Sequence, residues 1–433
     1  MNCHVVQLAS SLKPHRWRVL ATSAVVLGLL SGLPAAATAW SGGGHRPPPA
    51  NGAAEPVLTW NAHAERAISA GRAPASTFVL LGITHVAIYD TAVALGLPAR
   101  PYRTRHWAAP GTSAPAAVAT AAYEVLAARV PAQRPFLDPT YAAYLAAVPE
   151  GVAKQHGIAL GHRVATDVLA WRAGDGLDNA VTWTQPAPGP GVWEPTAPAP
   201  PVDLVLTQVR PLGLRTADQF RPAGPPALTS RRYAADLNEV KRLGRVDSAD
   251  REPYQTETAR FWADQTAVQW NRTVRQIATE RGLNLGQAAR LFAMVLVSAA
   301  DAGIACWDAK FTYVAWRPVH AVQRADTDHN PATVADPTWQ PLINANHPEY
   351  TSGHSCVSSG VTTALHTYFH RDRFTFTISS TTTGTTRTYG SFSASIAEVT
   401  EARILAGLHF RYSMRDGSRL GRNVAERVLR RFG

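Results

Sequence analysis

Apolar residues recur at helical spacing along most of the chain. They fall three and four apart over residues 57–97, and the run from Phe78 to Tyr89 is apolar enough to predict a buried helix. Ala-rich amphipathic segments follow over residues 113–129 and 141–171, broken at Pro131 and Pro149. Helical patterning resumes over residues 231–243, 254–281, 285–305, 357–370, 393–408 and 418–429. Residues 373–389 alternate instead, which predicts a short hairpin. Residues 185–201 hold too much proline for a helix and form a long loop around Trp193, either packed over a bundle or linking two domains. His63 and His85 read as core or surface histidines rather than ligands. The pattern is that of an all-α protein with one small β-hairpin.

Composition narrows this picture. Of 433 residues, 45% are hydrophobic, enough to bury a sizeable core and to exclude general disorder. The net charge of +11 comes mainly from arginine spread along the chain, without the dense basic run of a nucleic-acid binder. Dispersed positive charge favours small anionic substrates, whose encounter rate it raises.

Residues 1–39 read as a signal peptide: Lys13, Arg16 and Arg18 precede an apolar run, and Ala37-Thr38-Ala39 offers a cleavage site. The mature protein is then secreted or periplasmic, with no membrane span. Residues 40–55 form a Gly/Pro-rich tether, and residues 56–433 a helical catalytic domain. Within it, residues 56–230 comprise N-terminal helices and the proline-rich loop, and residues 231–433 a C-terminal bundle. Loss of the signal removes Cys3 and leaves Cys306 and Cys356, which admit either one disulfide or two buried free thiols.

The candidate chemistry lies between Lys310 and His409. Lys310 and Arg317, seven residues apart, would share one face of a helix, with Pro318 placing Arg317 at its end. Phe311, Tyr313, Val314 and Trp316 between them argue for burial, and buried cations require an anion. Ser352-Gly353-His354 precedes an apolar helical run, so Ser352 is a candidate N-cap with outward-facing N–H groups that suit an oxyanion. His354 is a candidate proton carrier. Arg403 offers a bidentate fork, and Gly407 loosens the helix before His409.

In order and spacing these groups resemble the vanadium-dependent haloperoxidases and the related type 2 phosphatidic acid phosphatase superfamily. The likeness rests on K-x6-R-P, then S-G-H, then R-x5-H, with support from Asp301-Ala-Gly-Ile, Trp307 and Gly191-Val-Trp193-Glu-Pro-Thr. It implies two packed helical bundles of the vanadium chloroperoxidase type. Vanadate would be held by Lys310, Arg317, Ser352, Gly353 and Arg403 and bonded through vanadium to His409; phosphate suits the same cradle. His354 would be the acid–base residue, and Lys310 would polarise bound hydrogen peroxide. Halide would then be oxidised to hypohalous acid that halogenates a small organic substrate. His347, at a position where the family has either histidine or an aromatic residue, implies bromide or iodide, and Trp307 lines the halide region. Related enzymes are often homo-oligomers.

Three positions depart from the family pattern. Thr351 stands for proline, Ala402 for serine, and Ser413 for an aspartate expected to orient His409. Asp416 is the replacement carboxylate that the sequence suggests. Two other functions use the same residues: a phosphatase with His409 as nucleophile, and a non-catalytic secreted oxyanion-binding protein.

Overall fold

The computed structural model describes residues 53–432. The signal-peptide and Cys3 readings, and all but the last three residues of the tether, lie outside that range.

The apolar segment at residues 57–97 is two helices, α1 (Glu55–Ser69) and α2 (Pro74–Ala94). The break falls where Pro74 supplies the first turn of α2. α3 (Ala114–Arg129) begins at Ser113, whose side chain accepts from the Ala116 N–H. α4 (Arg134–Ala146) and α5 (Val152–Arg172) follow, separated at the predicted Pro149.

The C-terminal part holds α6 (Arg231–Leu243), α7 (Pro253–Phe261), α8 (Thr266–Glu280), α9 (Leu285–Tyr313) and α10 (Pro318–Gln323). After α11 (Gly353–Phe369), the antiparallel hairpin of β1 (Arg373–Ser379) and β2 (Thr386–Ser391) leads into α12 (Phe392–Leu405) and α13 (Arg411–Leu429).

α9 is the central rod. It is buried nearly all round, because α2 covers one flank and α11 and α13 cover the others. Close approach is built into the sequence: a Cβ at Gly82 of α2 would meet the Leu296 carbonyl of α9 at 3.2 Å. At Gly421 of α13 it would meet the Cys356 carbonyl of α11 at 2.0 Å. α2 and α9 are long and apolar enough to cross a membrane, but 94% of each apolar window is buried within the fold.

The proline-rich loop is packed, not free. Trp193 is fully buried. The loop bonds the segment after α9 through Trp193 N–H to the Val314 carbonyl (2.7 Å) and Trp316 N–H to the Gly191 carbonyl (2.9 Å). Further along, Val202 N–H reaches the Asn346 carbonyl at 2.9 Å. These bonds fasten two segments that carry the site, residues 314–317 and 344–347.

Candidate active site

Lys310 and Arg317 do not share a helix. α9 ends at Tyr313, where Val314 takes a left-handed conformation (φ 45°), and Arg317 becomes the N-cap of α10. The two cations converge because the chain turns between them. Both point into the strip formed by residues 347–349. Lys310 Nζ donates to the carbonyls of Pro348 (2.9 Å) and Glu349 (3.0 Å). Arg317 donates to the carbonyls of His347 (2.7 Å) and Leu408 (3.0 Å), and to His347 Nδ1 (2.7 Å).

Ser352 caps α11 as its spacing suggested, its hydroxyl accepting from the Ser355 N–H. Gly353 opens that helix against Trp307: a Cβ there would lie 3.1 Å from the indole. Trp307 is held by a 2.9 Å bond from Nε1 to the Val202 carbonyl, and its ring stands 5.7 Å from Lys310 Nζ and 5.3 Å from the His347 ring. His354, on the first turn of α11, has Nε2 2.8 Å from Thr266 Oγ1.

Arg403 lies in the last turn of α12, which ends at Leu405. Gly407 then adopts φ 72° under the backbone of Gly244, where a Cβ would meet the carbonyl at 2.5 Å. This turn brings His409 back beside Arg403, whose carbonyl accepts from the His409 N–H at 3.3 Å.

Trp307, Arg317, His347, Gly353, His354, Arg403 and His409 therefore line one cavity of about 490 Å³. Lys310 and Ser352 are buried behind this lining, Ser352 next to Gly353 in the chain and Lys310 Nζ 5.7 Å from the Trp307 ring. Lys310, Arg317 and Arg403 are 0%, 1% and 6% exposed. Their hydrogen bonds end on carbonyl oxygens and the His347 ring, and Arg403 Nε has no partner. Among the described residues no carboxylate pairs with any of the three.

Burial accordingly pushes Lys310 down to about 8, Arg317 to about 10 and Arg403 to about 9. His347, His354 and His409 are held well below the ordinary imidazole value, first by burial and then by these cations, so all three rings are neutral. A buried cationic cluster of this kind is matched to a multivalent anion.

Two residues in contact with the candidate histidines escaped the sequence reading. Thr266, at the start of α8, orients His354. Glu349 supplies the carboxylate that Ser413 lacks: its Oε1 lies 2.7 Å from His409 Nδ1 and accepts from the Phe410 N–H at 3.2 Å. Burial lifts the Glu349 carboxyl to about 7, against the pull of Lys310 and Arg317.

Asp416 does not take this part. Its carboxylate accepts from the Tyr350 hydroxyl and from Arg419, each at 2.9 Å. Cys306 and Cys356 are free, buried thiols, each within 3.3 Å of Thr351 Oγ1. The one sequence signal for Glu349 was its place three residues before Ser352, as the sole acidic residue between Asp336 and Asp372.

Residues 290–432 match the family model of the vanadium chloroperoxidase second helical-bundle domain. The C-terminal bundle is thus similar to that domain over about a third of the chain. Vanadium chloroperoxidase of Curvularia inaequalis is 28% identical over a stretch covering 34% of this chain and 29% of that protein, so the match spans under a third of the relative's length. A bacterial vanadium-dependent iodoperoxidase structure superposes with a TM-score of 0.76 at 22% identity, covering 88% of this chain and 97% of that one. An apo bacterial vanadium-dependent chloroperoxidase gives 0.68 at 14% identity, covering 83% and 93%. At these identities the structures establish the shared two-bundle helical fold.

Proposed function

We propose that the protein is an exported vanadate-dependent haloperoxidase that oxidises bromide or iodide with hydrogen peroxide and halogenates small organic molecules. The observation that carries this reading is the set of three buried cations, none in salt-bridge contact with a carboxylate, at and just behind the wall of one cavity with a carboxylate-backed histidine. Vanadate fits that set: Lys310, Arg317 and Arg403 and the N–H groups at Ser352 and Gly353 offer donors to its oxygens, and His409 offers Nε2.

Vanadate supplies Lewis-acid activation of peroxide without itself changing oxidation state. The side chains do the rest. Arg317 and Arg403 balance the anion's charge, and Lys310, held to two carbonyls, keeps an ammonium beside the reacting oxygens. Neutral His354, with Thr266 on Nε2, is poised to take up and return a proton. His347 and Trp307 wall the side on which halide would approach. Small-molecule sites span roughly 300–1,000 Å³. A cavity of about 490 Å³ leaves room beyond an oxyanion for an organic acceptor, next to apolar Pro74, Phe78, Val202 and Val357.

The decisive experiment loads the purified protein with orthovanadate and measures iodide, bromide and chloride oxidation with peroxide, beside aryl phosphate hydrolysis by the vanadate-free protein. Bromide and iodide turnover, lost in His409→Ala, is expected. Phosphatase turnover without peroxidase activity makes His409 the nucleophile of a phosphatase. Tight oxyanion binding with neither activity makes the chain a non-catalytic binder.

A further inference from the structure

We propose that Glu349 is a positioning residue for His409: its carboxylate fixes the proton on Nδ1 and leaves Nε2 as the free electron pair facing the oxyanion cavity. The carboxylate expected at position 413 is thus supplied by residue 349, from a distant segment of the chain. The proposal rests on the vanadate reading above.

The geometry leaves little freedom. Glu349 and His409 side chains are 0% and 2% exposed, and their 2.7 Å contact excludes water between them. Oε1 already accepts from the Phe410 N–H, which marks it as the acceptor oxygen of the carboxyl group, so the hydrogen in the bond to Nδ1 belongs to the imidazole. The Phe410 N–H, 3.2 Å from the same oxygen, fixes the carboxylate in turn. Such a partner sets the tautomer and raises the basicity of the remaining nitrogen. The second carboxylate oxygen and the Ser413 hydroxyl are both buried without a hydrogen-bond partner. Ser413 nevertheless lies beside this carboxyl group, whose pKa its hydroxyl helps to hold down, so position 413 reaches the same neighbourhood.

The main chain of Glu349 acts separately from its side chain. Its N–H bonds the Ala315 carbonyl at 2.9 Å and its carbonyl accepts from Lys310 at 3.0 Å. Those bonds use the main chain alone and are kept in Leu and Gln variants, so such a variant isolates the contact to His409.

The test compares Glu349→Leu, which removes the acceptor, with Glu349→Gln, which keeps an acceptor and removes the charge. Binding of vanadate and of phosphate is measured by equilibrium dialysis without peroxide or halide. Vanadate, which gains a bond from Nε2, is expected to bind about 10–100-fold more weakly to Glu349→Leu. Phosphate, held by the cations alone, should change by less than about 3-fold on the same grounds. Glu349→Gln falls between, and adding Ser413→Asp to Glu349→Leu recovers vanadate affinity.

In the wild type, nitrogen NMR of histidine-labelled protein is expected to find the His409 proton on Nδ1. Equal losses for both anions, unchanged vanadate affinity, or a proton on Nε2 overturns the proposal. If the Leu variant does not fold, Glu349→Gln and Ser413→Asp/Glu349→Gln carry the same comparison. Because no turnover is measured, a wild type that binds vanadate yet oxidises no halide defeats the functional reading alone.

Discussion

Arg403 is 6% exposed, with one nitrogen on the Trp262 carbonyl and another on nothing. Without an anion, such a group costs stability, because desolvation is not repaid by a counter-charge. Arg403→Met should therefore raise the stability of the ligand-free protein by about 1–4 kcal/mol while abolishing tight phosphate or vanadate binding. Urea unfolding without anion, beside dialysis with it, checks both halves. The thiols give a second test. Cys306 and Cys356 are both fully buried and free, so neither should react with an alkylating reagent until the protein unfolds, when both should react. Lys310, Arg317, Ser352, His354, Arg403 and His409 were legible because each sits in a short motif with a chemical reason of its own. Glu349 was not, because its partner lies 60 positions away and only the folded chain joins them.

At the scale of elements, the helices were legible and their ends were not. Residues 231–243 and the cap at Ser113 stand where periodicity put them, and the hairpin follows its alternation. α9, by contrast, ends at the left-handed Val314, and α11 starts at Gly353, four residues before its apolar run. Ends depend on what docks against them, here the Gly191–Trp193 loop segment and the Trp307 ring. The joints between helices also decide acid stability. His85 of α2 accepts from Asn61 of α1 at 2.8 Å and stacks on Phe292 of α9, and burial holds its imidazole at about 3. The unfolded chain protonates this ring near 6.5, so its contribution is complete above that pH and is lost as pH falls toward the folded value. The slope is about 1.4 kcal/mol per unit from this residue alone. His85→Gln keeps an acceptor and should flatten the fall in stability between pH 6.5 and pH 4, measured by urea unfolding at each pH.

For the whole molecule, the site is where the central rod, the loop from the N-terminal half and the C-terminal turns meet. Thr266, Pro74 and Phe78 reach the cavity from outside the three motifs, and sequence spacing carried no trace of that because only the packing of α2 on α9 and of α8 on α2 and α11 brings them there. The arrangement couples ligand to fold. Three buried cations repel one another when the cavity holds no anion, and nothing equivalent survives in the unfolded chain, where water screens each charge. An oxyanion that binds only the folded protein must therefore stabilise it by RT ln(1 + [L]/Kd), which is about 2.7 kcal/mol at a concentration of 100 Kd. Thermal unfolding should shift upward with added phosphate or vanadate and hardly at all with chloride at equal ionic strength. The shift should vanish in Arg317→Met/Arg403→Met. Dialysis that strips the anion should return the wild type to its lower midpoint. An anion-independent midpoint would mean that the cations are neutralised by some group within the fold, and the oxyanion cradle would have to be abandoned along with both enzymatic readings.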